Sequence, residues 1–345
     1  MGYDAEFLTG LYRVFFDREP DPDGFAHHLN ALQSGMPPHE LVATLLMSDE
    51  FANRKQKEAF ESLAFELPNL RELYPTDFRE EEGHVLYIAS DDDRINRMER
   101  LIKTHGYYDR FGVWSSAIDN DKQNMAQLVE CLGAKICLEI GCFNGPILSL
   151  LSNKGIEVTG IDPSHLAFVV AFSNIRKNLV YGDLQSVEFD RQYDCIILLD
   201  VLEHVNPLKL GKQIHRLQEV LAPDGVIIVN SPMFGKDPVF GTVFPQDINE
   251  WISVGDLAFF RSWPCDEQGW PVHGHMVLGS PKWWTTQFEM NQLVRLTGIE
   301  ACVQDTFNSW FSWAPARKSL FVLGHREGNV DAGRVNALIR ERDWF

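Results

Sequence analysis

Hydrophobic positions follow two different periods along the chain. Near the start they recur every three to four residues. Phe7, Leu11 and Phe15 form one stripe, and Phe25, Leu29 and Leu32 a second that stops at Gly35. Leu41, Val42, Leu45 and Leu46 form a third, opening after Pro37-Pro38. This spacing predicts three helices, with "DPDG" (21–24) as the first turn and "SDEF" (48–51) as the cap of a fourth. Asp17, Asp21 and Asp23 lack EF-hand spacing and a closing Glu, so they read as caps and turn formers rather than a calcium loop.

The second period begins after "DNDKQNMAQLVECLG" (119–133), a predicted helix closing at Gly133. Short apolar runs then alternate with polar stretches: "KICLEIG", "IEVTGID", "LVYGD", "YDCIILLD", "VIIVNSP", "IEACVQDTF" and "SLFVLGH". Helical patterns or short loops separate the first five, which predicts a parallel sheet with right-handed crossovers and helices on both faces. The last two are separated only by a loop and are expected to form an antiparallel hairpin at one edge. Between the two regions, residues 61–105 read as a connector with an acidic run, "REEEG" (79–83). It ends in a helix, "SDDDRINRMERLIK" (90–103), whose early Asp residues suit the positive end of its dipole. The domain boundaries that follow are 1–60 for the helical module, 61–105 for the connector, 106–330 for the α/β domain and 331–345 for a C-terminal helix or tail.

Composition narrows the function. Of 345 residues, 45% are hydrophobic and 23% charged, ordinary for a globular protein, and no apolar stretch approaches the roughly 18 to 20 residues a membrane helix needs. The opening "MGYDAEFLTG" has neither a basic n-region nor an apolar h-region, and Glu6 stands where an N-myristoylation signal wants Ser or Thr, so a cytoplasmic location is expected. Six cysteines (131, 137, 142, 195, 265 and 302) form no CxxC pair, and neither a disulfide framework nor a zinc site is expected; no metal ligand is singled out. A net charge of -18 repels polyanions, so nucleic acid is not the expected partner.

The chemistry gathers where the strands end. "KICLEIGCFNGPILSLL" (135–151) runs from a strand through Gly141 and Gly145 into a helix opened by Pro146. The glycines let backbone pass close to a ligand, and the helix start offers free N–H groups. Asp162 ends the second strand, 21 residues after Gly141, where a carboxylate accepts both hydroxyls of a ribose; Asp183 follows the third strand, where it meets an adenine amino group. A dinucleotide would want G-x-G-x-x-G, but Phe143 and Pro146 occupy the third and sixth positions. A cofactor with a positive sulfonium and no phosphate suits a site ringed by Glu139, Asp162, Asp183 and Asp200.

The motifs "CLEIGCFNG", "VTGIDPS", "YGDLQSVEF", "YDCIILLDVLEHV" and "LAPDGVIIVNSP" resemble, in order and spacing, those of class I S-adenosylmethionine-dependent methyltransferases. The resemblance implies a seven-stranded, mostly parallel Rossmann-like sheet with a C-terminal antiparallel hairpin, and S-adenosyl-L-methionine as cofactor with S-adenosyl-L-homocysteine as product. It implies that Glu139, Gly141, Cys142 and Gly145 line the amino-acid end of the cofactor and that Asp162 with Pro163 holds the ribose. Asp183 with Leu184 would hold the adenine, and Asp200 with Val201 would border the methyl donor. The family has a small residue where this chain has Phe143, whose ring either turns out to solvent or crowds the site. The stretch "LYRVFFDREPDPDGFAHHLNALQSGMPPHELVATLLMSDEF" resembles a bacterial helical module of unknown function found beside glycosyltransferase and surface-polysaccharide domains. That association implies a docking or glycan-handling role, with a protein partner or self-association through the module.

The acceptor side is read from residues 232–282, a segment expected to act as a lid. Trp251, Trp263, Trp270, Trp283 and Trp284, in and just after it, supply flat apolar faces for sugars or planar acceptors, or else a lid core. Three histidines are candidate bases for an acceptor hydroxyl. His273 and His275, in "VHGHMVLGSPKWW", share a face if this is a strand, and His204 stands in "DVLEHV". Glycan-linked methyltransferases that this chain resembles place a His before a "WW" helix start at the mouth of the site, which favours His275. Together these point to an O-methyltransferase acting on a sugar or polysaccharide-related hydroxyl. The alternatives are a phenol, quinone or natural-product acceptor, or a noncatalytic adaptor on a degenerate fold.

Overall fold

A computed structural model describes residues 3–16, 18–36, 38–48, 50–51, 79–81, 85–87, 89, 91–104, 107–109, 117–244 and 274–345. The three N-terminal stripes form helices α1 (Tyr3–Phe16), α2 (Pro22–Gln33) and α3 (Pro38–Leu46). Asp21 caps α2, accepting from the Gly24 amide at 2.8 Å, and the Phe51 amide donates to Ser48 Oγ at 3.2 Å, the cap expected there. The remaining residues of the expected fourth helix, and Asp17, lie outside the described residues. Leu8, Tyr12, Leu41 and Leu45 close the small core of this unit, which continues onto Leu166 and Val170 of the α/β part.

The next described elements, β1 (Arg79–Glu81), β2 (Val85–Tyr87) and α4 (Asp92–Thr104), belong to the main body. Val85, Ile95, Met98 and Ile102 are buried in the same apolar cluster as one face of the large sheet. Asp92, Asp93, Arg94, Arg97 and Arg100 of α4 are exposed while its apolar stripe faces that cluster, as a helix of this period should, and Glu99 turns inward to Lys209 at 2.6 Å.

Helix α5 (Asn120–Leu132) ends on Gly133 in the left-handed conformation, φ +82°, as the sequence predicts. The five expected parallel strands follow: β3 (Ile136–Ile140), β4 (Glu157–Asp162), β5 (Leu179–Tyr181), β6 (Tyr193–Leu199) and β7 (Leu221–Asn230). Between them run α6 (Pro146–Asn153), α7 (His165–Val169) and α8 (Pro207–Val220). A two-stranded ribbon, β8 (Gly235–Lys236) with β9 (Val243–Phe244), precedes β10 (Val277–Gly279), which pairs antiparallel with β2. The C-terminal part holds α9 (Pro281–Met290), β11 (Leu293–Arg295), α10 (Thr297–Thr306), α11 (Asn308–Trp313), β12 (Leu320–His325) and α12 (Ala332–Glu341).

The seven-stranded sheet has the order β11-β12-β7-β6-β3-β4-β5, with β12 antiparallel to β7 and β11 antiparallel to β12. Strand order reverses at β3, whose neighbours are β4 on one side and β6 on the other. That places the ligand crevice at the carboxyl ends of β3 and β6.

One sequence expectation is corrected. "IEACVQDTF" is not a strand but mostly α10, and the antiparallel partner of β12 is β11, just before it. Ile299, Cys302, Val303 and Phe307 are buried at helical spacing in the cluster that also holds Val335 and Ile339 of α12. The 3.6-residue period therefore outweighs the β-branched content of the segment.

Candidate functional site

Backbone hydrogen bonds stitch together the strand ends that carry the expected residues. The Gly141 amide donates to the Ile161 carbonyl at 2.8 Å, and the Gly182 amide to the Asp162 carbonyl at 3.0 Å. The Asp200 amide donates to the Asn230 carbonyl at 2.9 Å. The loops after β3, β4, β5 and β6 thus share one edge, which brings Gly141, Asp162, Asp183 and Asp200 to a common side of the sheet.

The turn after β3 has φ +69° at Gly141 and +74° at Gly145, which caps α6 with no side chain of its own. A Cβ on Gly141 would meet Val201 Cγ2 at 2.6 Å, so a side chain there would have to displace Val201. Cys142 is buried beneath this turn, and Pro163 is half-buried beside Asp162. Glu139 is buried at the end of β3, and its Oε2 has no hydrogen-bond partner among the described atoms. Burial, with Asp162 adding repulsion, pushes its pKa up to about 8. An unsatisfied carboxylate oxygen beside a glycine cradle fits a ligand carrying an ammonium or sulfonium group.

Asp162 is held by two backbone amides: Phe143 donates to Oδ2 at 2.7 Å and Ser164 to Oδ1 at 2.8 Å. Burial raises its pKa to about 6 against the pull of those bonds. Asp183 binds its own turn through the Gln185 and Ser186 amides and lies 3.4 Å from Lys103 Nζ. Burial opposes its ionisation, but Lys103 and the turn bonds prevail and hold the carboxyl below its usual range. Leu184 is buried next to it. Asp200 is exposed in the left-handed region, φ +56°, with its carboxylate fixed by Asn230 Nδ2 at 2.8 Å and Arg317 Nη1 at 3.1 Å. Val201 is half-buried against Gly141.

Phe143 takes neither of the courses expected of it. At φ +45° it is half-buried and packs against the apolar cluster of the N-terminal helices.

On the acceptor side, the structure brings His204 and His275 together with Glu203. The two imidazole centroids are 5.0 Å apart at 79°, and His275 Nε2 lies 4.0 Å from Glu203 Oε1. Glu203 is fully buried and accepts from Ser231 Oγ at 3.0 Å, while its main-chain carbonyl accepts from the Met276 amide at 2.7 Å. Burial and then Asp200 drive its pKa well above the carboxylate range. Desolvation lowers that of His204 to about 4, so His204 is neutral at physiological pH. Ligand atoms of Glu203, His204 and His275 lie within 4.8 Å of one another, close enough to hold a cation. His275 precedes β10 rather than lying in a strand. His273, Trp251, Trp263 and Trp270 lie outside the described residues. Trp284 is fully buried, stacked on Phe288 at 6.0 Å, and is core rather than pocket wall; Trp283 packs beside it.

Sequence reading missed Glu203, Asn230, Lys103 and Arg317, and Asp109, which accepts from Ser164 Oγ at 2.9 Å beside Asp162. Only Glu203 carried a local signal, adjacent to His204 in "LEHV". Arg317 reaches Asp121 at 2.8 Å and Asp200 across 117 positions of chain, which no local pattern announces.

Residues 115–296, more than half of the chain, match a methyltransferase-domain family model, and residues 2–55 match a domain of unknown function, DUF4214. Among curated relatives, an uncharacterized methyltransferase of Staphylococcus carnosus (strain TM300) is 31% identical over 29% of this chain and 48% of its own length. A ubiquinone biosynthesis O-methyltransferase of Rickettsia bellii (strain OSU 85-389) is 31% identical over 33% and 50%. The chain thus spans about half the length of these relatives. Among solved structures, a S-adenosylmethionine-dependent methyltransferase of Archaeoglobus fulgidus aligns with a TM-score of 0.36 at 19% identity, covering 51% of this chain and 69% of that one. Among the described residues no helix is long and apolar enough to cross a membrane.

Proposed function

This chain belongs to the methyltransferase-domain family that its residues 115–296 match, and from that premise we propose that it methylates a hydroxyl of a small-molecule acceptor with S-adenosylmethionine. When bound, the cofactor supplies an electrophilic methyl group on a sulfonium. Glu139 and the Gly141–Gly145 turn receive its charged amino-acid end, Asp162 with Pro163 the ribose, and Asp183 with Leu184 the adenine. Asp200 and Val201 border the methyl group.

The Glu203–His275 pair, next to Asp200 and Val201 at the end of β6, carries the choice of an oxygen acceptor. An aliphatic hydroxyl loses its proton only as the methyl arrives, so a base must stand in line with it. His275 takes that proton, and Glu203 at 4.0 Å, which ionises more readily beside an imidazolium, stabilises the charge. His204, kept neutral by burial, packs against His275 and holds its ring plane. Replacing His275 by Gln should lower turnover by roughly 10²- to 10⁴-fold with the affinity for S-adenosylhomocysteine unchanged. A loss smaller than that would remove His275 from the chemistry. The same three side chains favour a second reading in which a divalent cation binds the acceptor oxygen. Turnover that survives exhaustive chelation supports the base, and turnover restored only by added metal supports the cation.

The acceptor belongs, in our reading, to a sugar or surface-polysaccharide precursor, because the N-terminal helices resemble modules found beside such machinery. A phenol or quinone acceptor is the competing reading, favoured by the relatives named for ubiquinone biosynthesis. Incubation with methyl-labelled cofactor and separate panels of nucleotide sugars and polyprenyl phenols decides between them by which panel takes the label. A cytoplasmic setting suits the described cysteines, all five of them free thiols.

A further inference from the structure

Both hydrogen bonds that fix the Asp162 carboxylate lead to residues packed on, or beside residues packed on, the N-terminal helices. On one side, the Phe143 amide holds Oδ2, and the Phe143 ring is packed into the cluster built by Leu8, Tyr12, Leu41, Leu45 and their neighbours. Phe143 sits at φ +45°, a conformation that residues with a Cβ seldom keep unless packing maintains it. On the other side, the Ser164 amide holds Oδ1, and the Ser164 hydroxyl caps α7 through the Ala167 amide at 3.4 Å. Leu166 of α7 and Val170 just after it are buried in that same N-terminal cluster. Asp109 ties this side together, accepting from Ser164 Oγ at 2.9 Å and from the Leu166 amide at 3.2 Å.

We infer that the N-terminal helices clamp the cofactor site from outside, with Phe143 as the positioning residue that couples their packing to the orientation of Asp162. The bulky side chain that departs from the family's small residue is the anchor by which the module grips the cofactor loop. Cofactor binding and docking of the module are then linked, each strengthening the other by the same factor. This rests on the assignment of Asp162 to the cofactor's ribose.

Calorimetric titration of the full chain with S-adenosylhomocysteine tests it. Phe143→Ala should raise Kd about tenfold, and Phe143→Leu, which refills the cluster, should restore affinity to within about twofold of the parent. Phe143→Gly, which suits the backbone angle but fills nothing, should resemble Phe143→Ala. Leu45→Ala, inside the module, should weaken binding in the same direction and add nothing further once Phe143 is Ala. If Phe143→Ala does not fold, Leu45→Ala and Val170→Ala carry the test through amide exchange, where faster exchange at Phe143 and Ser164 in the ligand-free chain is expected. Asp162→Ala separates the two claims. If it abolishes binding while Phe143→Ala binds like the parent, the clamp is wrong and the ribose assignment stands. If Asp162→Ala binds like the parent, the assignment falls and the clamp with it. Unaltered exchange at Phe143 and Ser164 in Leu45→Ala and Val170→Ala would also overturn the clamp.

Discussion

Glu139 keeps its proton into the neutral range because burial, with Asp162 nearby, lifts its pKa to about 8. An acid whose native pKa lies above its unfolded value binds protons more tightly when folded. Native stability therefore falls as pH rises from the ordinary glutamate value of about 4.5 toward about 8. Replacing Glu139 by Gln removes that dependence and should raise the melting temperature of the ligand-free protein at pH 8. A cationic ligand reverses the preference, since it favours the ionised carboxylate. Binding of S-adenosylmethionine at pH 7 should consequently release protons, detected as a binding enthalpy that depends on the buffer's ionisation heat, and the Gln variant should lose this contribution. Asp162, raised to about 6, contributes the same sign at lower pH.

At the scale of elements, the end of the sheet is held by a buried ion cluster. Arg295 of β11 donates to Asp237 after β8 at 3.0 Å and to Glu300 of α10 at 2.7 Å, with its guanidinium 4.6 Å from the centre of the Phe321 ring. Removing the arginine would leave two buried carboxylates facing each other. Arg295→Ala should thus destabilise the fold by about 3–5 kcal/mol in urea titrations, more than Asp237→Asn. Which parts of this architecture the sequence discloses depends on how local their cause is. The five parallel strands and their terminal residues Gly141, Asp162, Asp183 and Asp200 were legible because each apolar run stops where the chain turns toward the ligand edge. The segment after β11 was misread because Ile, Val and Cys suit a strand and a buried helix face equally, and only the spacing of Ile299, Val303 and Phe307 separates the two. The partners of Asp200 and Glu203 were not legible at all, since Arg317, Asn230 and Ser231 reach them through tertiary folding.

For the molecule as a whole, the apolar cluster of the N-terminal helices is continuous with Leu166 and Val170, so helices and α/β domain should melt together. Leu8→Ala, a truncation at a fully buried position, should lower stability by about 2–5 kcal/mol and shift a single calorimetric transition rather than split it. The order of the sheet has a consequence of another kind. β12 pairs with β7 and carries β11 outside it, and β10 pairs with β2, so strands from residues 274–345 complete one edge of each of two sheets begun by residues 79–244. A chain cut between Phe244 and Gly274 would therefore yield two fragments, neither with the whole seven-stranded sheet, that need each other to complete it. Such halves are the raw material of a split-protein reporter whose reassembly restores the pairing of Glu203 with His275.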